Sequence, residues 1–103
     1  MINIKLQEIG TSRHLSVQGR IDMANALEFE DILMENLNNT DKLELDLAGL
    51  TFIDSSGIYS LASVIQFVNK NNICFEIINV PEAISEIFDV IGVYELLNKK
   101  SNP

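Results

Sequence analysis

Asp54-Ser55-Ser56-Gly57 sets a carboxylate and two hydroxyls at consecutive positions, and Asp22 offers a second carboxylate upstream. Groups of these types support three kinds of chemistry. A serine beside a base can attack a carbonyl, two carboxylates can share acid–base work or a magnesium ion, and a serine at a helix start can carry a phosphate. The first requires an imidazole or an equivalent base within hydrogen-bond reach. His14 is the only histidine, nothing in the spacing brings it to Ser56, and Gly-x-Ser-x-Gly is absent. His14 reads as an ordinary strand residue. Asp22 and Asp54 each follow a strand pattern and precede a helix pattern, so each is a candidate N-cap, and capping is the favoured reading for Asp22. Neither Gly-x4-Gly-Lys-Ser/Thr nor Gly-x-Gly-x-x-Gly occurs. One cysteine and one histidine, far apart, give no zinc spacing. Composition and spacing thus provide no support for an enzyme, and no cofactor or metal is expected.

The hydroxyls keep two readings. Ser55 or Ser56 could cap the helix that follows, a contribution of ~1 kcal/mol. Alternatively one of them is a switch. A phosphoserine adds about −1.5 to −2 charges and three acceptor oxygens. At a helix start it would meet unpaired N–H groups and the positive end of the dipole, so the fold could accept it while a docked partner would be repelled.

The flanking elements that must place these groups show clear periods. Ile2, Ile4 and Leu6 alternate with polar residues, Gly10-Thr11-Ser12 reads as a turn, and Leu15 and Val17 resume the alternation, which predicts a hairpin of strands 2–8 and 13–20. A helix beginning between residues 22 and 26 presents Ala26, Phe29, Leu33 and Leu37 on one face, joined by Ile32, and ends near Asn38-Asn39. A third strand covers about 42–47 and runs through a short apolar loop to Asp54. The next helix carries Ile58, Leu61, Ala62, Ile65 and Val68 on one side and stops at residues 69–72. Residues 73–78 suit an inner strand, with Cys74 a small buried hydrophobe. Pro81 suits the first position of a third helix, striped by Ile84, Ile87, Phe88 and Ile91, and Gly92 suits its C-terminal cap. Residues 93–97 form a last short element, a helical turn or a strand, and 99–103 a flexible tail.

The order ββαβαβα implies an α/β domain spanning residues 1–98, with right-handed crossovers and a mixed sheet. Sites in such sheets gather beyond the C-terminal ends of strands, where Asp54–Gly57 falls.

At 103 residues the chain is one domain. Fifteen acidic against seven basic residues, net charge −8, would repel phosphate backbones and anionic lipid surfaces, so no direct nucleic-acid or membrane binding is expected. No apolar run approaches the ~18 residues of a membrane span, which points to a cytoplasmic chain.

Phe52-Ile-Asp-Ser-Ser-Gly-Ile58, preceded by Leu45-Asp-Leu-Ala-Gly-Leu50, resembles the signature of the STAS domain of bacterial anti-sigma factor antagonists. Val17-Gln-Gly-Arg-Ile-Asp22, Ile78-Asn-Val-Pro81 and Ile87-Phe-Asp-Val-Ile-Gly92 resemble further parts of that pattern, in the same order. The resemblance implies a single-domain fold with a mixed four- to five-stranded sheet and flanking helices. It also implies a partner cycle. The unmodified antagonist holds an anti-sigma factor that is also a serine kinase, the kinase phosphorylates the serine matching Ser56, and a serine phosphatase resets the protein. By the same resemblance Asp22, Met23, Asp54, Ser55, Gly57, Ile58 and Tyr59 make up the docking surface, and the chain acts as a monomer. Arg20 stands where the antagonists often have Glu, and Tyr59 where a small residue is common. These departures motivate the runner-up reading of a non-phosphorylated scaffold or adaptor in a larger signalling or transport-associated complex.

Overall fold

Alternating apolar residues make the sheet, and two interruptions of that alternation decide its shape. The computed structural model describes residues 2–98. Strands β1 (Ile2–Ile9) and β2 (Ser12–Ile21) form the expected hairpin. They pair antiparallel from Ile2–Gly19 to Ile9–Ser12. Gly10 closes the two-residue turn at φ 61°, in the left-handed region that favours glycine.

Helix α1 (Ala26–Glu35) stops short of the expected Asn38-Asn39. The cause lies in residues 36–40. Arg13 Nη1 donates to the carbonyls of Asn36 and Asn38, both at 3.0 Å, and Thr40 Oγ1 also donates to Asn36 O. Those carbonyls are satisfied from β2 and the loop, not by further helical turns.

Strand β3 (Lys42–Ile53) is the main departure from the expected pattern: the segment read as a loop after residue 47 is strand. It pairs parallel with β2 throughout, with irregularities between Ser16 and Gln18 and between Gly19 and Arg20. At each, β3 accommodates one extra residue, so its twelve residues match ten of β2. A bulge shifts which face a side chain takes. Burial therefore passes from Leu43, Leu45 and Leu47 to Leu50 and Ile53, steps of three that hide strand character in a period-two reading.

Helix α2 (Ser55–Asn71) follows at once. Strand β4 (Cys74–Ile78) pairs parallel with β3, giving the order β1-β2-β3-β4. Among the described residues β4 is an edge strand, not an inner one. Only Phe75 is buried, and Cys74, expected inside, is exposed because its side chain takes the opposite face from Phe75 at the first position of that edge. Helix α3 (Glu82–Ile91) begins one residue after Pro81, which stays extended at ψ 146°, and ends at Gly92 with φ 87°. Of its stripe, Ile84 and Phe88 are buried, while Ile87 and Ile91 are largely uncovered. The last described element is a short helix, α4 (Val93–Asn98). The expected tail, 99–103, lies outside the described residues.

One core cluster joins Leu15, Val17, Leu43, Leu45 and Phe75 of the sheet to Phe29, Leu33, Leu61, Ile65 and Phe88 of the helices. The other sheet face is polar. There Lys42 pairs with Glu76 and Glu44, and the His14 ring lies between Glu44 (Nδ1–Oε1 3.2 Å) and Asp46 (Nε2–Oδ2 3.4 Å). No described helix is long and apolar enough to cross a membrane.

Candidate functional site

Two parallel strands ending side by side bring Asp22 and Asp54 to the same edge of the domain. Ile21 pairs with Ile53, and Asp54 N donates to Ile21 O at 3.2 Å, so the chain leaves β2 and β3 at adjoining points. The two aspartates then act differently. Asp54 takes φ −104°, ψ −173° and caps α2 with its side chain. Its Oδ1 accepts hydrogen bonds from the N–H groups of Ser56 (2.9 Å) and Gly57 (3.2 Å). Asp54 thus fills the role open to either serine, and neither Ser55 nor Ser56 is the cap. They are the first two residues of α2, Ser55 exposed and Ser56 half-buried. The Ser56 hydroxyl is not sealed in the core and is not engaged in capping.

Asp22 stands ahead of α1 and caps no helix with its side chain. Its Oδ1 accepts from Ala24 N at 3.0 Å, and its N–H donates to Asn25 Oδ1 at 3.0 Å. Asn25 Nδ2 donates to Arg20 O at 2.9 Å. These bonds fold residues 22–25 into an ordered turn that holds Met23 outward, 82 % exposed. A depression of about 390 Å³ beside the turn is lined by Ile2, Asp22, Ala24, Asn25 and Glu28.

Gly57 explains how closely α2 approaches the strand ends. A Cβ built there would lie 2.6 Å from Ile21 Cγ2 and 2.7 Å from Ile53 Cγ1. Only a residue without a side chain lets the first turn rest on both strands. Ile58 is buried beside it, and Ser60 Oγ donates to Ala26 O at 3.0 Å from a buried position, tying α2 to the start of α1. Gly57 and Ile58 therefore set the height and angle of α2, whereas Ser55 and Tyr59 (74 % exposed) form its outer surface.

The sequence reading overlooked two apolar side chains exposed on the same elements. Leu27, in the first turn of α1, is 75 % exposed, and Phe52, next to last in β3, is partly exposed beneath the Arg20 guanidinium at 4.1 Å from the ring centre. Leu27 lies off the Ala26–Phe29–Leu33 face, and that misplacement was its available signal. Phe52 carries no such signal, because it sits where the alternation of β3 is broken. A cation stacked on an aromatic face at an exposed site contributes about 0.5–1 kcal/mol.

At the corner the Asp54 carboxylate already takes the N–H groups of Ser56 and Gly57, and among the described residues no imidazole is set against Ser56. His14 is committed to Glu44 and Asp46 on the polar sheet face, away from the helices. The hydrogen bond from His14 holds the Glu44 carboxyl below the usual glutamate range, with Lys42 adding in the same direction and partial desolvation opposing. Lys42 is raised, first by its hydrogen bond and ion pair with Glu76. Among the described residues no group of three or more His, Cys, Asp or Glu is placed to hold a metal ion.

Comparison with known proteins agrees with this architecture. Residues 3–102 match the model of the STAS domain. The anti-sigma-B factor antagonist of Staphylococcus epidermidis is 26 % identical over 85 residues, covering 82 % of this chain and 79 % of that protein. Among solved structures, an anti-sigma factor antagonist from Mycobacterium paratuberculosis superposes with a TM-score of 0.81 at 22 % identity, over 92 % of this chain and 81 % of that one. The Bacillus cell fate determinant SpoIIAA in its phosphorylated form gives 0.70 at 13 % identity, over 91 % and 87 %. With the family model spanning nearly the whole sequence and the same fold in these neighbours, the chain belongs to the STAS domain family.

Proposed function

We propose that the chain is an anti-sigma factor antagonist, a binding module and not a catalyst, which docks its partner through the Asp22–Asp54 corner and is released by phosphorylation of Ser56. Asp22, Met23, Asp54, Ser55 and Tyr59 supply the contact surface, and Gly57 and Ile58 hold it in place from beneath. The partner is an anti-sigma factor with serine kinase activity. A serine phosphatase reverses the modification, and the cycle runs in the cytoplasm with the antagonist as a monomer. The names carried by the staphylococcal relative and by SpoIIAA, the latter solved in a phosphorylated form, support this reading.

The observation that carries it is the division of labour at the start of α2. Asp54 uses its carboxylate on the N–H groups of Ser56 and Gly57. The Ser56 hydroxyl is left half-exposed, with no structural task. A phosphate there would keep the favourable end of the helix dipole. It would also stand beside the Asp54 carboxylate, on a corner that already carries Asp22, in a chain of net charge −8. The added charge therefore faces outward, against whatever is docked, and the core is undisturbed.

Incubation with the cognate kinase and ATP, read by intact mass, is expected to add one phosphate to the native chain and none to Ser56→Ala. Ser56→Ala is expected to stay binding-competent. Ser56→Glu is expected to bind less well, and a loss of about 3 kcal/mol on full phosphorylation would weaken Kd more than a hundredfold. Phosphate only on other residues, or unchanged binding by Ser56→Glu, would overturn the switch and leave a constitutive adaptor.

A further inference from the structure

Helix α3 is apolar on two sides, and only one of them is used. Ile84 and Phe88 enter the core. At 3.6 residues per turn, Ala83, Ile87, Val90 and Ile91 continue the apolar surface away from that buried edge. Val90 is 88 % exposed and Ile91 53 %. Together with Glu86 these residues line a groove of about 320 Å³. Isolated exposed hydrophobes are ordinary, but a contiguous apolar strip along a helix marks a contact surface. The charges on the helix itself have one sign, and the nearest cations along the sequence, Lys99 and Lys100, lie outside the described residues. Glu82, Glu86 and Asp89 are exposed on the same helix and Glu95 on α4, and residues 82–98 contain no lysine or arginine.

That charge selects the occupant. A second copy packed face to face by two-fold symmetry would set Glu82, Glu86 and Asp89 against the same three acids, a like-charge contact with no cation on either helix to relieve it. We infer that the outer face of α3 is a docking surface for a basic amphipathic helix. Its apolar side chains seat on Ile87, Val90 and Ile91, and its lysines or arginines lie along Glu86 and Asp89. A helix laid into such a groove contacts it through residues at i, i+3, i+4 and i+7, matching the spacing of Ala83, Ile87 and Val90. The inference is independent of Ser56, which starts a different helix.

The test uses a dye-labelled synthetic peptide of about 16 residues, ~24 Å as a helix, with leucines at helical spacing and lysines between them. Two controls accompany it: the same composition in scrambled order, and glutamates in place of lysines. Anisotropy with the full chain is expected to show binding of the first peptide, at least about tenfold weaker binding of the scrambled one, and none of the acidic one. Backbone amide shifts are expected to centre on residues 83–91. Val90→Asp and Glu86→Lys, each checked for an unchanged circular dichroism spectrum, are expected to weaken binding about tenfold or more. Met23→Asp, on the other surface, is expected to leave it unchanged. Equal binding of the scrambled peptide, shifts centred elsewhere, or indifference to Val90→Asp would overturn the proposal. Sedimentation showing a dimer that Val90→Asp disperses would also overturn it, since the occupant would then be a second copy.

Discussion

At the end of β2 the chain passes through an ordered turn, residues 22–25, before α1 begins; at the end of β3 it enters α2 with no turn at all. Both junctions start with an aspartate after a buried isoleucine, and the two isoleucines pair. The carboxylate of Asp54 is consumed by its helix, whereas that of Asp22 closes a turn on Ala24. Asn25, the residue at the cap position of α1, directs its side chain back to β2 and gives the helix no side-chain cap. One junction thus sets a helix rigidly on the sheet and frees the serines of its first turn. The other spends its polar groups on displaying an exposed methionine. The same residue type in matching sequence contexts performs different work because Gly57 lets α2 rest directly on both strands, whereas the Asn25 side chain, bonded to Asp22 N and Arg20 O, holds residues 22–25 as a turn.

The largest effect should come from Gly57. Gly57→Ala forces a methyl against Ile21 and Ile53, an overpacking of about 1–3 kcal/mol. At about 4–8 °C per kcal/mol for a domain of this size, thermal melting should fall by roughly 5–20 °C. An unchanged melting temperature would mean that α2 does not rest on both strands. Next comes a direct contrast of the two carboxylates. Asp54→Ala should lose about 1 kcal/mol with its cap, while Asp22→Ala, outside any helix cap, should stay within about 0.5 kcal/mol. Chemical denaturation measures both, and equal losses would erase the distinction between the junctions.

A smaller change is expected at Ser56. If its hydroxyl has no structural task, Ser56→Ala should alter stability by no more than about 0.5 kcal/mol. A loss above 1 kcal/mol would show that the hydroxyl does hold the junction.

The smallest effect lies away from both junctions and serves as their reference. The Glu44 carboxyl is held low chiefly by its hydrogen bond from His14. A lowered carboxyl pKa stabilises the fold at pH above the carboxyl's unfolded value, and the gain is lost as pH falls through the lower folded value. His14→Ala, which removes the donor, should therefore move the Glu44 titration, followed by carboxyl carbon NMR, upward and shrink that acid-dependent loss. An unmoved Glu44 titration would remove His14 as its cause.

Much of this architecture was readable from residue patterns alone. The hairpin, the buried faces of α1 and α2, the glycine stop of α3 and the placement of Asp54-Ser55-Ser56 at a strand–helix handover all follow from local periodicity and end signals. What failed was non-local. The last part of β3 looked like loop because its burial steps by three, and that step exists only through two bulges against β2. The burial of Cys74 failed because strand composition does not reveal which face of β4 the helices cover, and Cys74 takes the face opposite Phe75. The end of α1 depends on Arg13, which lies 23 residues before Asn36, near the start of β2. At the candidate site the residues were legible, but their division into a capping carboxylate and a free hydroxyl was not. Aspartate and serine are both good caps, and geometry alone decides between them.

The position of Cys74 has a practical consequence. It pairs with Lys42 at the beginning of β3, whereas Ser56 lies just past that strand's far end. The chain's single thiol is therefore a natural attachment point for a fluorophore that would report on tumbling and complex formation without crowding the corner where docking is proposed.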